Sequence, residues 1–140
     1  MTTKRVHLSW TGERNNLRAR FGSGYELEMH GPADENGVTP MDHLLAAAAG
    51  CSAMDVIHIL RKKRQNFTDV SVEAEGVQAG EDPHVYTHGK FTYVVRGTDI
   101  KPAAVEQAIA LSQNSYCSAS IMLKRAGMTL ETDYRIEEAE

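Results

Sequence analysis

The stretch LLAAAAGCSAMDVIHIL, Leu44 to Leu60, constrains the fold more than any other part of this chain. Wound as a helix, its Leu, Ala, Met, Val and Ile side chains cover the whole circumference instead of one stripe. A helix apolar all round has to be enclosed on all sides. The residues before it carry a start signal: Thr39 suits the N-cap, Pro40 the first helical position, and Asp42 the third, where a carboxylate answers free amides. No breaker stronger than Gly50 follows until about Gln65, so the expected helix is roughly 36 Å long at ~1.5 Å per residue. Ser52, Asp55 and His58 interrupt the apolar run, which is shorter than the ~20 residues of a membrane span. The expectation is therefore a buried core helix.

Around it the pattern has period two. Val6, Leu8 and Trp10 alternate, as do Leu17, Ala19 and Phe21 beyond Gly12 to Asn16, and this reads as a hairpin. Gly22-Ser23-Gly24 turns the chain into a third strand through Tyr25, Leu27 and Met29, and Gly31 to Thr39 is a polar loop. After the helix come a strand over Val70 to Gln78, a turn at Gly80 to Pro83, and a long strand through Tyr86, Phe91, Tyr93 and Val95. Pro102 opens a helix from Ala103 to about Ser115, and another runs from Ser118 to Ala126 with Gly127 in the C-cap position. Leu130, Thr132, Tyr134 and Ile136 close with a strand. Strands at both ends, helices between them and no regular βαβ alternation predict one α+β domain over residues 1–140, with a mainly antiparallel sheet around a long central helix. So few elements can hardly wrap that helix, and the expected state is a homodimer whose long helices share a core.

A formal charge of −4 argues against a nucleic-acid or anionic-membrane partner, which would require a concentrated excess of Lys and Arg. The basic run Arg61-Lys62-Lys63-Arg64 falls where the helix should end and suits its negative terminus. No apolar leader precedes the first strand, so a cytoplasmic location is expected. Six histidines raise the question of metal. His84 and His88, read in one strand, would stand roughly 13 Å apart, too far to share an ion. No metal or cofactor is expected. His43 and His58 lie two or more helical turns from Cys51, too far to act as its base within one subunit.

Two cysteines in a reducing compartment are free thiols or a transient redox pair. Cys51, among Ala, Gly and Ser, reads either as a small buried hydrophobe or as an accessible thiol. Cys117 starts a helical stretch, where free amides stabilise a thiolate.

The run from Thr39 to Val56, TPMDHLLAAAAGCSAMDV, with Cys51 eleven residues after Pro40, resembles the central helix of the OsmC/Ohr family. Ala104 to Ile109 and Leu111-Ser112, followed by Tyr116-Cys117-Ser118, resemble that family's second cysteine region. With the N-terminal hairpin and the His84 to Val95 strand, the similarity covers nearly the whole chain. The resemblance implies an intertwined α+β homodimer that reduces organic hydroperoxides to alcohols. Cys51 matches the peroxidatic cysteine and Cys117 the resolving one. Cys51 would become a sulfenic acid that Cys117 converts to a disulfide, and a dithiol or protein-thiol reductant would restore both. Leu45, Met54, Phe91 and Met122 are apolar residues suited to hold the peroxide.

Three positions depart from the family pattern. Met41 stands where the best-characterised members carry a Glu that holds an active-site arginine, and Asp42 follows, as in the YhfA-type, OsmC-like branch. Arg18 and Arg20 lie in the strand that supplies that arginine, outside a matching motif. Ser118 replaces a proline after the second cysteine. The candidate catalytic residues are thus Cys51, Cys117, Asp42, Arg18 and Arg20. The alternative is a redox-sensing or ligand-binding module that keeps the fold and the thiols without efficient catalysis.

Overall fold

The computed structural model describes residues 1–139. The chain divides into two compact units, Met1–Leu44 and the remainder from Leu45.

In the first unit, β1 (Val6–Trp10), β2 (Leu17–Phe21) and β3 (Glu26–Met29) form an antiparallel meander with β2 in the middle. The register sets Val6, Leu8 and Trp10 opposite Phe21, Ala19 and Leu17, so the alternating apolar residues share one face. Ala19 is buried there, but Leu8 and Trp10 are exposed, Trp10 by 66%. Gly24 takes the left-handed φ of 91° that the β2–β3 turn requires. The 31–39 loop is tied down where His30 Nδ1 accepts the Val38 N–H at 2.9 Å.

Helix α1 (Pro40–Lys62) begins in this unit and continues through the second. It ends three residues short of Gln65 in a Schellman turn. Arg64 adopts φ 54°, its N–H meets Arg61 O at 3.0 Å, and the Gln65 N–H meets Leu60 O at 3.0 Å. No glycine marks this turn, so the sequence pattern overran it. At 23 residues, α1 is long and apolar enough, by length and composition alone, to cross a bilayer, so the apolar run undercounts the helix. Packing distinguishes its faces. Ala48, Ala49, Ser52, Val56, Ile59 and Leu60 form a buried stripe, whereas Leu44 and Met54 are exposed, Met54 by 73%. This chain therefore encloses one side of a helix whose composition calls for enclosure on all sides.

In the second unit, β4 (Asn66–Gln78) and β5 (Tyr86–Thr98) form a long antiparallel hairpin, and β6 (Thr129–Glu138) pairs with the other edge of β5. That last pairing is parallel, unlike the other three, because α2 (Pro102–Leu111) and α3 (Ser118–Arg125) carry the chain back across the sheet. As the central strand, β5 buries Phe91, Tyr93, Val94 and Val95 in near-continuous succession. Phe91, Tyr93 and Val95 share a core with Val56 and Leu60 of α1 and Val105 of α2. The fold is mixed α+β, with two small sheets and three helices.

Candidate active site

The site is built where α2 fails to continue. After Leu111 the chain makes one π-helical turn, Ser112–Tyr116, closed by the Cys117 N–H on Ser112 O at 2.7 Å, five residues back. The wider turn leaves Ser112 and Gln113 buried and Tyr116 exposed. It also delivers Cys117 in an extended conformation (φ −77°, ψ 96°) as the N-cap of α3.

Cys117 is completely buried. Its thiol donates to Ser120 Oγ at 3.0 Å and, more weakly, towards Ala48 O at 3.7 Å, while its sulfur accepts the Ser120 N–H at 3.4 Å. Burial pushes the thiol above its ordinary value, the two bonds from Ser120 oppose that rise, and the adjacent Cys51 thiol adds to it. The helix-start effect expected from sequence operates through Ser120, but desolvation outweighs it. Cys51, on α1, is only partly buried, and both cysteines are free. Cys117 Sγ lies 3.7 Å from Ala48 O, and Ala48 stands one turn before Cys51 on α1, so the fold sets a partly buried thiol and an enclosed thiol on neighbouring turns.

Behind the pair lies a buried polar network that the sequence did not reveal. Ser52 Oγ meets Tyr93 Oη at 2.5 Å and Ser112 Oγ at 2.8 Å, and the Ser112 hydroxyl donates to Asp55 Oδ2 at 2.9 Å. Gln113 Nε2 donates to Ser52 Oγ and Tyr93 Oη, both at 3.1 Å, and reaches Ser120 Oγ at 3.5 Å. With the Ser112 hydroxyl donating to Asp55 Oδ2, the chain runs one way: Tyr93 to Ser52, Ser52 to Ser112, Ser112 to Asp55. Burial raises the Tyr93 phenol above its ordinary value, against the lowering effect of Ser52 and Gln113. Among the described residues, no buried side-chain N or O lacks a partner. Asp55 also lines a hollow of about 590 Å³ with His58, Lys62, Lys63 and Tyr116. One sequence signal was available: Ser120 lies three residues after an N-cap, the spacing of a capping pair. Nothing in the sequence ties Tyr93 or Gln113 to the cysteines.

The other candidates are engaged elsewhere. Asp42 Oδ2 accepts the Thr39 N–H at 2.9 Å and the Thr39 hydroxyl at 3.0 Å, and Thr39 Oγ1 accepts the Asp42 N–H at 3.2 Å. This is a reciprocal cap on α1. Exposed Arg18 pairs with Glu28 at 3.1 Å across β2 and β3, and exposed Arg20 with Glu26 at 4.0 Å. Phe91 is fully buried in the core and presents no surface to a substrate, unlike exposed Met54 and Met122. His84 precedes β5 instead of sharing a strand with His88, because its ring bonds Ala79 O at 2.7 Å in the turn. Among the described residues, no group of three or more His, Cys, Asp or Glu is arranged to hold a metal ion.

A family profile described as OsmC-like protein matches residues 31–133, which include both cysteines and the whole network. The chain belongs to the OsmC family. It is 40% identical over 104 residues to Protein YhfA of Escherichia coli K12, a match that covers 74% of this chain and 78% of that protein. A crystal structure of a hypothetical protein from Aquifex aeolicus VF5 is 31% identical, covers all of both chains and superposes with a TM-score of 0.88. The organic hydroperoxide resistance protein OhrB of Bacillus subtilis superposes with a TM-score of 0.65 at 16% identity, over 96% of this chain and 98% of that one, which shows a shared fold.

Proposed function

We propose that the protein is a cytoplasmic, cysteine-based peroxidase that reduces organic hydroperoxides. The observation that carries this reading is the thiol pair, with Cys51 partly buried and Cys117 enclosed against Ala48, one turn before Cys51 on the same helix. In the first step the Cys51 thiolate attacks the terminal peroxide oxygen. An S–O bond forms, the O–O bond breaks, and the alkoxide leaves as an alcohol after taking a proton. The sulfur is oxidised by two electrons and the peroxide is reduced by two. Cys117 then displaces the sulfenic hydroxyl as water, and a dithiol or protein thiol reopens the disulfide.

Arg18 and Arg20 are kept as the candidates for the cation that steadies the Cys51 thiolate, as the family resemblance implies. We assign Asp42 to the helix cap first, with catalysis as its tested alternative. We also propose a homodimer. The exposed apolar residues Leu8, Trp10, Leu44 and Met54 support it, since a second copy would supply the enclosure that the composition of α1 demands.

A second reading, a redox sensor or ligand-binding module of low turnover, is favoured by Met41 in place of a carboxylate and by the ion pairs that occupy both arginines. Cumene hydroperoxide with excess dithiol separates the two. Sustained peroxide consumption that disappears in Cys51→Ser supports the peroxidase, and a single stoichiometric oxidation without turnover supports the sensor. Peroxide consumption by Cys51→Ser at the parent rate removes both readings.

A further inference from the structure

Cys117 poses a problem for any reaction in which it attacks Cys51. A completely buried thiol must lose its proton in a place where burial opposes the charge. The titratable groups facing it are Cys51 from α1 and Tyr93 from β5, and Asp55 stands behind Tyr93 in the network. None of these is a cation, and Lys124, on α3 with Ser120, gives its ammonium to the Gln113 carbonyl oxygen instead of the sulfur. What surrounds the sulfur is a pair of dipoles from one residue, the N–H and the hydroxyl of Ser120.

The hydroxyl has two available arrangements. With Cys117 protonated, the thiol donates to Ser120 Oγ at 3.0 Å and the Ser120 hydroxyl is free to donate to Ala48 O at 3.5 Å. With Cys117 ionised, that donation to Ser120 is lost, and rotation about the Ser120 Cβ–Oγ bond points the same O–H at the sulfur. Gln113 Nε2, whose two hydrogens go to Ser52 Oγ and Tyr93 Oη, lies 3.5 Å from Ser120 Oγ and leaves that hydroxyl free to turn. A rotating hydroxyl beside an N–H that never moves is thus matched to both protonation states of one buried sulfur.

We propose that Ser120 is the positioning residue of the thiol pair: its hydroxyl turns from Ala48 O to Cys117 Sγ as that sulfur ionises, and so supports disulfide formation. The inference rests on the peroxidase reading for its place in the cycle, but not for its chemistry. In that step the Cys117 sulfur bonds the Cys51 sulfur, the Cys51 S–O bond breaks, and the departing oxygen leaves as water. The proton surrendered by Cys117 ends in that water, so no external oxidant or base is consumed. Ser120 is neither a nucleophile nor a proton acceptor in the balance. It acts through Cys117.

The test is Ser120→Ala, which deletes the hydroxyl and keeps the N–H, with Ser120→Gly as a second variant lacking the hydroxyl and Ser120→Thr restoring it. In a Cys51→Ser background, ultraviolet thiolate absorbance against pH reads Cys117 alone, after subtraction of the matching Cys117→Ser trace. Loss of a charge-assisted hydrogen bond should move the Cys117 midpoint up by about one pH unit or more in Ser120→Ala and Ser120→Gly, and Ser120→Thr should return it towards the parent. With Cys51 present, single-turnover kinetics should show sulfenic acid formation at the parent rate and disulfide closure slowed about tenfold near neutral pH. A Cys117 midpoint that stays within a few tenths of a unit in the Ala and Gly variants overturns the proposal. Failure of the parent protein to oxidise with peroxide would remove the peroxidase reading while leaving the titration result to stand by itself.

Discussion

Tyr93→Phe deletes one buried oxygen and leaves the ring in place. The ring of Tyr93 is fully buried on β5, and its hydroxyl bonds Ser52 Oγ at 2.5 Å and accepts from Gln113 Nε2 at 3.1 Å. After the substitution, Gln113 keeps Ser52 and Ser120 as acceptors, and Ser52 keeps Ser112 and Gln113. Neither partner is orphaned, so each of the two lost bonds counts at about 1 kcal/mol, about 2 kcal/mol together. With an unfolding entropy of ~2.1 cal/mol/K per residue over the length of the chain, that lowers Tm by about 7 °C. The assay is a thermal melt followed by circular dichroism, run beside Tyr134→Phe. Tyr134 also donates a short bond, 2.7 Å to Glu106 Oε1, but at the surface, where water replaces the lost partner. Its melt should coincide with the parent's. Equal shifts in the two variants, or none in Tyr93→Phe, would refute the reasoning that burial gives the network its weight.

Alkaline pH and the helix cap supply two further tests. Cys117 and Tyr93 both have folded-state values raised above their ordinary 9.0 and 10.0, so their neutral forms are favoured in the folded protein. Above those ordinary values the unfolded chain binds fewer protons than the folded one, and stability falls as pH rises. The urea midpoint should therefore stay level below about pH 9 and decline above it, and Cys117→Ser should remove the earlier part of the decline. An unchanged decline in Cys117→Ser would contradict the assignment. For Asp42→Ala, loss of the reciprocal cap should cost about 1 kcal/mol in urea unfolding and leave peroxide consumption within twofold of the parent. A hundredfold loss of rate would instead give Asp42 a part in the chemistry.

What the sequence made legible was local. Thr39, Pro40 and Asp42 announced the start of α1 because a cap is a contact among near neighbours, and Thr39 and Asp42 form it around Pro40 as the first helical residue. Period-two alternation found each strand, yet it could not show that β6 runs parallel to β5, since direction depends on a crossover through two helices. The helix expected to reach Ser115 stops at Leu111 because the π turn obeys a five-residue bond that no apolar period signals. The cysteines could be read from count and compartment as free thiols or a redox pair, and it was the family resemblance that chose the pair. Ser52, Tyr93, Ser112, Gln113 and Ser120 were not legible, because they meet from four different segments and each has an ordinary reading alone. The buried polar network is a property of the fold, joined across as many as 61 positions in the chain.

The central claim is that Cys51 and Cys117 form one reacting pair. Its most direct test is peptide mapping under non-reducing conditions after one equivalent of cumene hydroperoxide, with free thiols blocked at the moment of quenching. The account predicts a Cys51–Cys117 crosslinked peptide that a dithiol dissolves, and in Cys117→Ser an uncrosslinked Cys51 trapped as its sulfenic acid. Recovery of both cysteines as blocked free thiols, with the peroxide unconsumed, would contradict it.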